Sequence, residues 1–131
     1  MRDPDWELDG WGLDNGEDYH ANAPDTFWIP SREERDNLQQ GDYAKLIFRI
    51  CLDSEDDLVS AERMWVLVRG KLDHTYFGLL DNEPDAIAEN EEFWAGTELP
   101  FRAEHVISIM PADQESIDFA RRPPRRPWPR D

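Results

Sequence analysis

Apolar and polar residues alternate most strictly between Asp42 and Leu52. Ala44, Leu46, Phe48, Ile50 and Leu52 fall on one face at period two, and Tyr43, Lys45, Ile47, Arg49 and Cys51 on the other. This predicts a long strand with a core face and a mixed face. A second strand is predicted over Glu62 to Arg69. There Met64, Val66 and Val68 oppose Trp65 and Leu67, and apolar residues on both faces imply a central strand or a closed small barrel. A third strand is predicted at Thr75 to Leu80, with Gly78 inside it marking a bulge, a bend or the close approach of another backbone. The segment from Ala61 to Pro84, two antiparallel strands joined near Gly70 to His74 and ending in a turn at Asp81 to Pro84, is the densest apolar stretch and organises the chain.

The flanks are less regular. Residues 1–24 read as an irregular acidic arm, because Gly10, Gly12, Asn15, Gly16, Asn22 and Pro24 break any period. Trp6, Leu8, Trp11, Leu13 and Tyr19 interrupt the acids, so part of the arm is expected to lie on its own domain or on a partner. Thr26 to Ile29 is a short strand candidate ended by Pro30. Ser31 and Glu34 have capping-box spacing and predict a thin helix from Arg32 to Gln39, stopped at Gly41. Residues 84–95 read as a loop holding one helical turn. Gly96 to Phe101 and Glu104 to Met110 read as two further strands, and Asp113 to Ala120 as a brief helix. The fold expected is α+β and β-rich: a small, strongly curved antiparallel sheet or barrel-like roll of about five strands, with one short capped N-terminal helix. The boundaries expected are an arm at 1–24, one domain at 25–111, and a helix with an Arg/Pro-rich tail at 112–131.

Charge sharpens this picture. The chain of 131 residues carries a net charge of −16, divided as −7 over residues 1–25, −13 over 26–119 and +4 over 120–131. An acidic body repels nucleic acid phosphates and anionic membranes and suits either solvation or a basic protein surface. The single cysteine excludes an internal disulfide and fits a reducing cytoplasm. No stretch approaches the ~18 apolar residues of a membrane span, and Met-Arg-Asp-Pro-Asp-Trp lacks the apolar core of a secretion signal.

Chemistry-bearing motifs are sparse. Cys51 sits in an alternating strand with no local nucleophile signature. His20, His74 and His105 are dispersed and show no metal-ligand spacing. The clusters Asp53 to Asp57 and Asp14 to Asp18 lack the pattern of a calcium loop and read as solvated loops. No phosphate loop, serine elbow or dinucleotide fingerprint is present, so no cofactor and no catalytic residue is assigned. The tail from Arg121 to Arg130 favours an extended polyproline form. It suits self-docking, an aromatic protein groove through Pro124 and Pro127, or single-stranded nucleic acid through its arginines and Trp128.

Gly41-Asp42-x-x-Lys45-Leu46-Ile47-Phe48, Glu62-Arg63-Met64-Trp65-Val66, Phe77-Gly78-Leu79-Leu80-Asp81-Asn82-x-Pro84, Gly96-x-x-Leu99-x-Phe101 and His105-Val106-Ile107-x-Ile109 together resemble the YegJ-like bacterial domain of unknown function over residues 41–110. The resemblance implies a small α+β or β-rich domain and no catalytic residues. Within that signature Trp65 is expected to anchor the sheet and Asn82 to cap a turn. Alternatively Glu62, Trp65, Asp81 and Asn82 rim a ligand or peptide site, with Asp53, Asp56 and Asp57 as further acidic partner contacts. The function expected is non-catalytic protein binding or regulation. The alternatives are an immunity- or antitoxin-like inhibitor of a basic enzyme, and a small hydrolase or transferase using Asp81, Glu62 and His105.

Overall fold

A computed structural model describes residues 2–51, 59–81, 96–124 and 126–129. The alternating stretch forms β2 (Tyr43–Cys51), which pairs antiparallel with β3 (Val59–Leu72) from Tyr43 opposite Leu67 to Cys51 opposite Val59. A two-residue turn at Asp73 and His74 leads into β4 (Thr75–Leu80), and Asp73 takes φ +56° there. β4 then pairs with β5 (Glu98–Phe101). The remaining edge of β2 is shared by two strands. β1 (Trp11–Leu13) takes Phe48 to Ile50, and β6 (Val106–Met110) takes Tyr43 to Leu46. Among the described residues six strands thus build one antiparallel sheet, curled into half a barrel.

The inner face carries the main core. Ala44, Leu46, Phe48, Ile50, Val66, Val68, Tyr76, Leu99 and Val106 are fully buried there, and apolar burial of this kind contributes about 1.5–3 kcal/mol per large side chain. Gly78 serves the close approach of another backbone: a Cβ would collide with the Leu67 carbonyl oxygen and stand 2.7 Å from Val66 Cγ1. The bulge lies on the facing strand, between Val68 and Gly70. One end of the half-barrel is closed by α3 (Arg32–Asp36), which has the expected Ser31–Glu34 capping box. α3 stops at Asp36, short of Gln39, because Leu38 turns inward to join the core. The Leu38 N–H donates to the Tyr76 hydroxyl at 3.2 Å, and that hydroxyl donates to the Arg35 carbonyl at 2.8 Å. The phenol is therefore satisfied although fully buried.

The arm departs from its expected irregularity. α1 (Trp6–Asp9) is a single turn capped by the Asp5 side chain and closed by Gly10 at φ 74°; β1 follows, then α2 (Gly16–Asn22), capped by Asn15. Trp11 is buried in the main core, so of the two placements expected for the arm, its own domain or a partner, this residue takes the first. Thr26 to Ile29 is not a strand. It alternates like one, with Ile29 buried and Trp28 70% exposed, but β1 and β6 already occupy the β2 edge that would have paired with it. The stretch from Glu104 begins within a 3-10 turn (Ala103–His105) before β6 starts.

Two smaller clusters pack on the outer face. Ile29, Ile47 and Ile107 meet Tyr19 and Phe27 under α2 and its following loop. Leu67, Leu79, Ala120 and Tyr43 meet beneath α4 (Gln114–Ala120), which Asp113 caps. The tail docks on its own chain. Arg126 bridges Thr97, the Glu98 N–H donates to the Arg126 carbonyl at 2.9 Å, and Trp128 joins the main core against Trp11 at 5.7 Å. Among the described residues no helix is long and apolar enough to cross a membrane.

Candidate functional site

The outward positions of β2, β3 and β4 form the floor of a groove beside α4. Tyr43, Leu67 and Leu79 point outward by the same alternation that sends Ala44, Val66 and Leu80 inward. α4 lies along this floor with Phe119 48% exposed at its rim. On one side of Phe119 is a mainly apolar hollow of about 350 Å³, over Leu67 and Leu79, with Arg122 and Pro123 also in its lining. On the other is a polar hollow of about 250 Å³ lined by Tyr43, Asp81, Asp113 and Glu115. The two share Leu67, Asp81 and Phe119 and so form one continuous groove.

The polar end is electrostatically one-sided. Desolvation pushes the Tyr43 phenol above its ordinary pKa, and the charges of Asp81, Asp113 and Glu115 push it further the same way. Asp81 is exposed at its edge, yet the surrounding chain desolvates its carboxyl and raises its pKa. Asp113 also caps α4, its carboxylate accepting the Ser116 N–H at 2.7 Å. Among the described residues no Lys or Arg forms an ion pair with Asp81, Asp113 or Glu115. The arrangement can hold a cationic group against Tyr43 while an attached apolar chain lies on Leu67 and Leu79.

Of the residues expected to rim a site, Trp65 and Asp81 are brought together. They are neighbours on the outer face, and the Asp81 N–H donates to the Trp65 carbonyl at 3.0 Å. Lys45 stands over the Trp65 ring at 5.5 Å. Glu62 does not belong with them. It lies opposite Phe48 in register and shares that residue's inward parity, so the sheet separates it from Trp65. Asn82, Asp53, Asp56 and Asp57 fall outside the described residues. Tyr43, Glu115 and Phe119 were not anticipated as site residues, although Glu115 and Phe119 stand four apart on the helix expected there and therefore share a face.

The three groups of the hydrolase reading line different places. Asp81 is in the outer groove, Glu62 is on the inner face of β3, and His105 lines a cavity between the N-terminal arm and β5. Within the Asp14 to Asp18 cluster, Asp14 accepts from Arg49 at 2.6 Å and from the Tyr19 hydroxyl at 2.7 Å. Asn15 caps α2, and Glu17 pairs with Arg35 at 2.7 Å. These residues fasten the arm to the sheet and α3. Among the described residues no group of His, Cys, Asp and Glu is placed to hold a metal ion. Comparison with protein-family models, with curated proteins and with solved structures gives no match.

Proposed function

We propose that this chain is a non-catalytic, cytoplasmic protein-binding module that recognises a basic segment of a partner protein in its outer groove. The observation that carries this reading is the convergence of Asp81, Asp113 and Glu115 on Tyr43 at the polar end of an apolar groove, with no cationic partner among the described residues. A lysine or arginine side chain fits that chemistry. Its charged head meets carboxylates and aromatic faces, and its methylene stem covers Leu67 and Leu79.

The rest of the surface supports the same partner. The net charge is −16, and Arg2, Arg32, Arg35, Arg49, Arg69 and Arg102 are engaged in internal ion pairs. A net charge of this sign would accelerate encounter with a positive surface. An inhibitor of a basic enzyme is one concrete form of this function.

Titration of the full chain with hexapeptides pairing one lysine or arginine with two leucines, followed by amide chemical shifts, tests the reading. Shifts centred on Tyr43, Leu67 and Phe119 are expected, weakening as salt rises. The double variant Asp81→Asn/Glu115→Gln should bind roughly tenfold more weakly, the loss of about 1.4 kcal/mol. Equal binding by that variant, or shifts confined to other surfaces, refutes the proposal.

A further inference from the structure

The curled sheet leaves a seam between its outer strands β1 and β5, which Trp128 of the tail fills only in part. A cavity of about 290 Å³ opens there and shares no lining residue with the α4 groove. Its apolar wall is made by Trp6, Trp11, Leu13 and Pro100, and its polar end by Arg102, Glu104 and His105. Trp6 is 42% exposed. Gly12 keeps the wall open: a Cβ placed there meets nothing nearer than Trp6 Cε3 at 4.0 Å.

The polar groups have fixed roles. His105 Nδ1 accepts the backbone N–H of Arg102 at 2.9 Å, so the neutral ring carries its proton on Nε2. Burial favours that neutral form. Among the described residues Nε2 has no hydrogen-bond partner, and neither has the Glu104 carboxylate. Arg102 donates to both carboxylate oxygens of Asp3 at 3.0 Å, so its charge is matched by Asp3. What remains at the end of an aromatic slot is two donors, His105 Nε2–H and the buried Arg102 Nε–H, which has no hydrogen-bond partner among the described residues, and one acceptor, the Glu104 carboxylate, which forms no ion pair there.

We propose that the seam cavity binds a neutral, planar heteroaromatic molecule with a lactam edge, the chemistry of a nucleobase or small nucleoside. The ligand's carbonyl oxygen accepts from His105 Nε2–H, its adjacent ring N–H donates to Glu104, and its face lies on Trp6 and Trp11. The volume, at the low end of small-molecule pockets of ~300–1,000 Å³, suits a compact base. The negative charge of Glu104 disfavours a phosphorylated form. This site is independent of the groove beside α4, so either can fail alone.

The test is titration of the full chain with uridine, inosine, inosine 5′-monophosphate and indole, read by the indole N–H signals of Trp6 and Trp11 and the ring signals of His105. Saturable binding of a nucleoside is expected, with the monophosphate weaker. Two substitutions separate recognition from structure. His105→Asn keeps an acceptor for the Arg102 N–H and removes the Nε2 donor, and should weaken the nucleoside about tenfold. His105→Gln keeps a donor near Nε2 and should bind within about threefold of the parent chain. Gly12→Val, which narrows the slot from its other wall, should also weaken binding about tenfold or more. The proposal is overturned if no probe perturbs these signals at millimolar concentration, if indole binds as well as the nucleosides, if the monophosphate binds more tightly, or if the two His105 variants lose binding alike.

Discussion

Replacing Glu98 by glutamine removes one charge from the most deeply buried ion pair and leaves its volume unchanged. The Glu98 carboxylate is fully buried. One oxygen accepts from Arg69 Nη1 at 2.5 Å and the other accepts the backbone N–H of Trp128 at 3.0 Å. Arg69 in turn donates through Nε to the Ala120 carbonyl at 3.1 Å. The pair therefore ties β3, β5, the end of α4 and the tail together. Glutamine cannot reproduce this, because both partners are donors and an amide has only one oxygen. Whichever way the amide turns, its NH2 faces an N–H. Breaking a buried pair from one side costs about 3–5 kcal/mol. Arg69 keeps some solvent access, 19% of its side chain, which places the expectation near the lower figure, about 3 kcal/mol. With an unfolding entropy of about 2.1 cal/mol/K per residue, that lowers Tm by roughly 11 °C for a chain of this length. Urea unfolding and calorimetry measure it. The double variant Glu98→Leu/Arg69→Met removes both charges and should recover part of the loss, the remainder coming from the Trp128 N–H and the Ala120 carbonyl that lose their partners. A Glu98→Gln loss below about 1 kcal/mol, or a double variant no better than the single, would refute this account of the pair.

Three further outcomes are expected. Gly78→Ala drives a Cβ into the Leu67 carbonyl, which the β3–β4 pairing holds in place, and should destabilise by about 3 kcal/mol in urea; Gly12→Ala, with open space around its Cβ, is the matched control and should lose no more than about 1 kcal/mol. Trp128→Ala should cost about 3 kcal/mol, since the ring packs on Trp11 and its N–H donates to the Arg2 carbonyl at 3.0 Å; an unchanged denaturation midpoint would mean that the tail is not docked. The folded pKa of His105 lies below the unfolded value, so its contribution is complete above about pH 6.5 and declines as pH falls through that value, where the unfolded chain takes up the proton first. His105→Asn should accordingly flatten the stability profile between about pH 7 and pH 5, and a parallel profile would contradict the burial of that ring.

The strands that could be read from the sequence are those whose side chains face two different environments. Tyr43 to Cys51 alternates because its inner face meets the core while its outer face meets Lys45–Trp65 and the α4 cluster. Thr75 to Leu80 appears with its expected bounds, Ser31 and Glu34 acted through local geometry that their residue types already imply, and Gly78 marked the close approach of the β3 backbone. β1 was hidden because three residues cannot establish a period. Its strand character comes from the β2 edge it occupies. Thr26 to Ile29 shows the converse, a strand-like pattern without an edge to pair with. The parity argument could have separated Glu62 from Trp65, which stand an odd number of residues apart on one strand. The adjacency of Trp65 and Asp81 needed the β3–β4 register, which no local signal contains.

The way the edges are covered bears on how a partner can be recognised. An open strand edge invites an added strand, but β5 offers little of one. Its start bonds to Arg126 of the tail, and Pro100 has no N–H to give. On the opposite side β2 is already paired along both halves of its outer edge, by β6 and by β1. Among the described residues the accessible side-chain surfaces include the outer groove beside α4, with its one-sided charge, and the aromatic seam between β1 and β5. Recognition through side chains, on which both proposals rest, makes affinity depend on the chemistry of the incoming group: a cationic group for the groove, a planar neutral one for the seam. The tail and the arm thus complete the core and also cover part of the β5 and β2 edges.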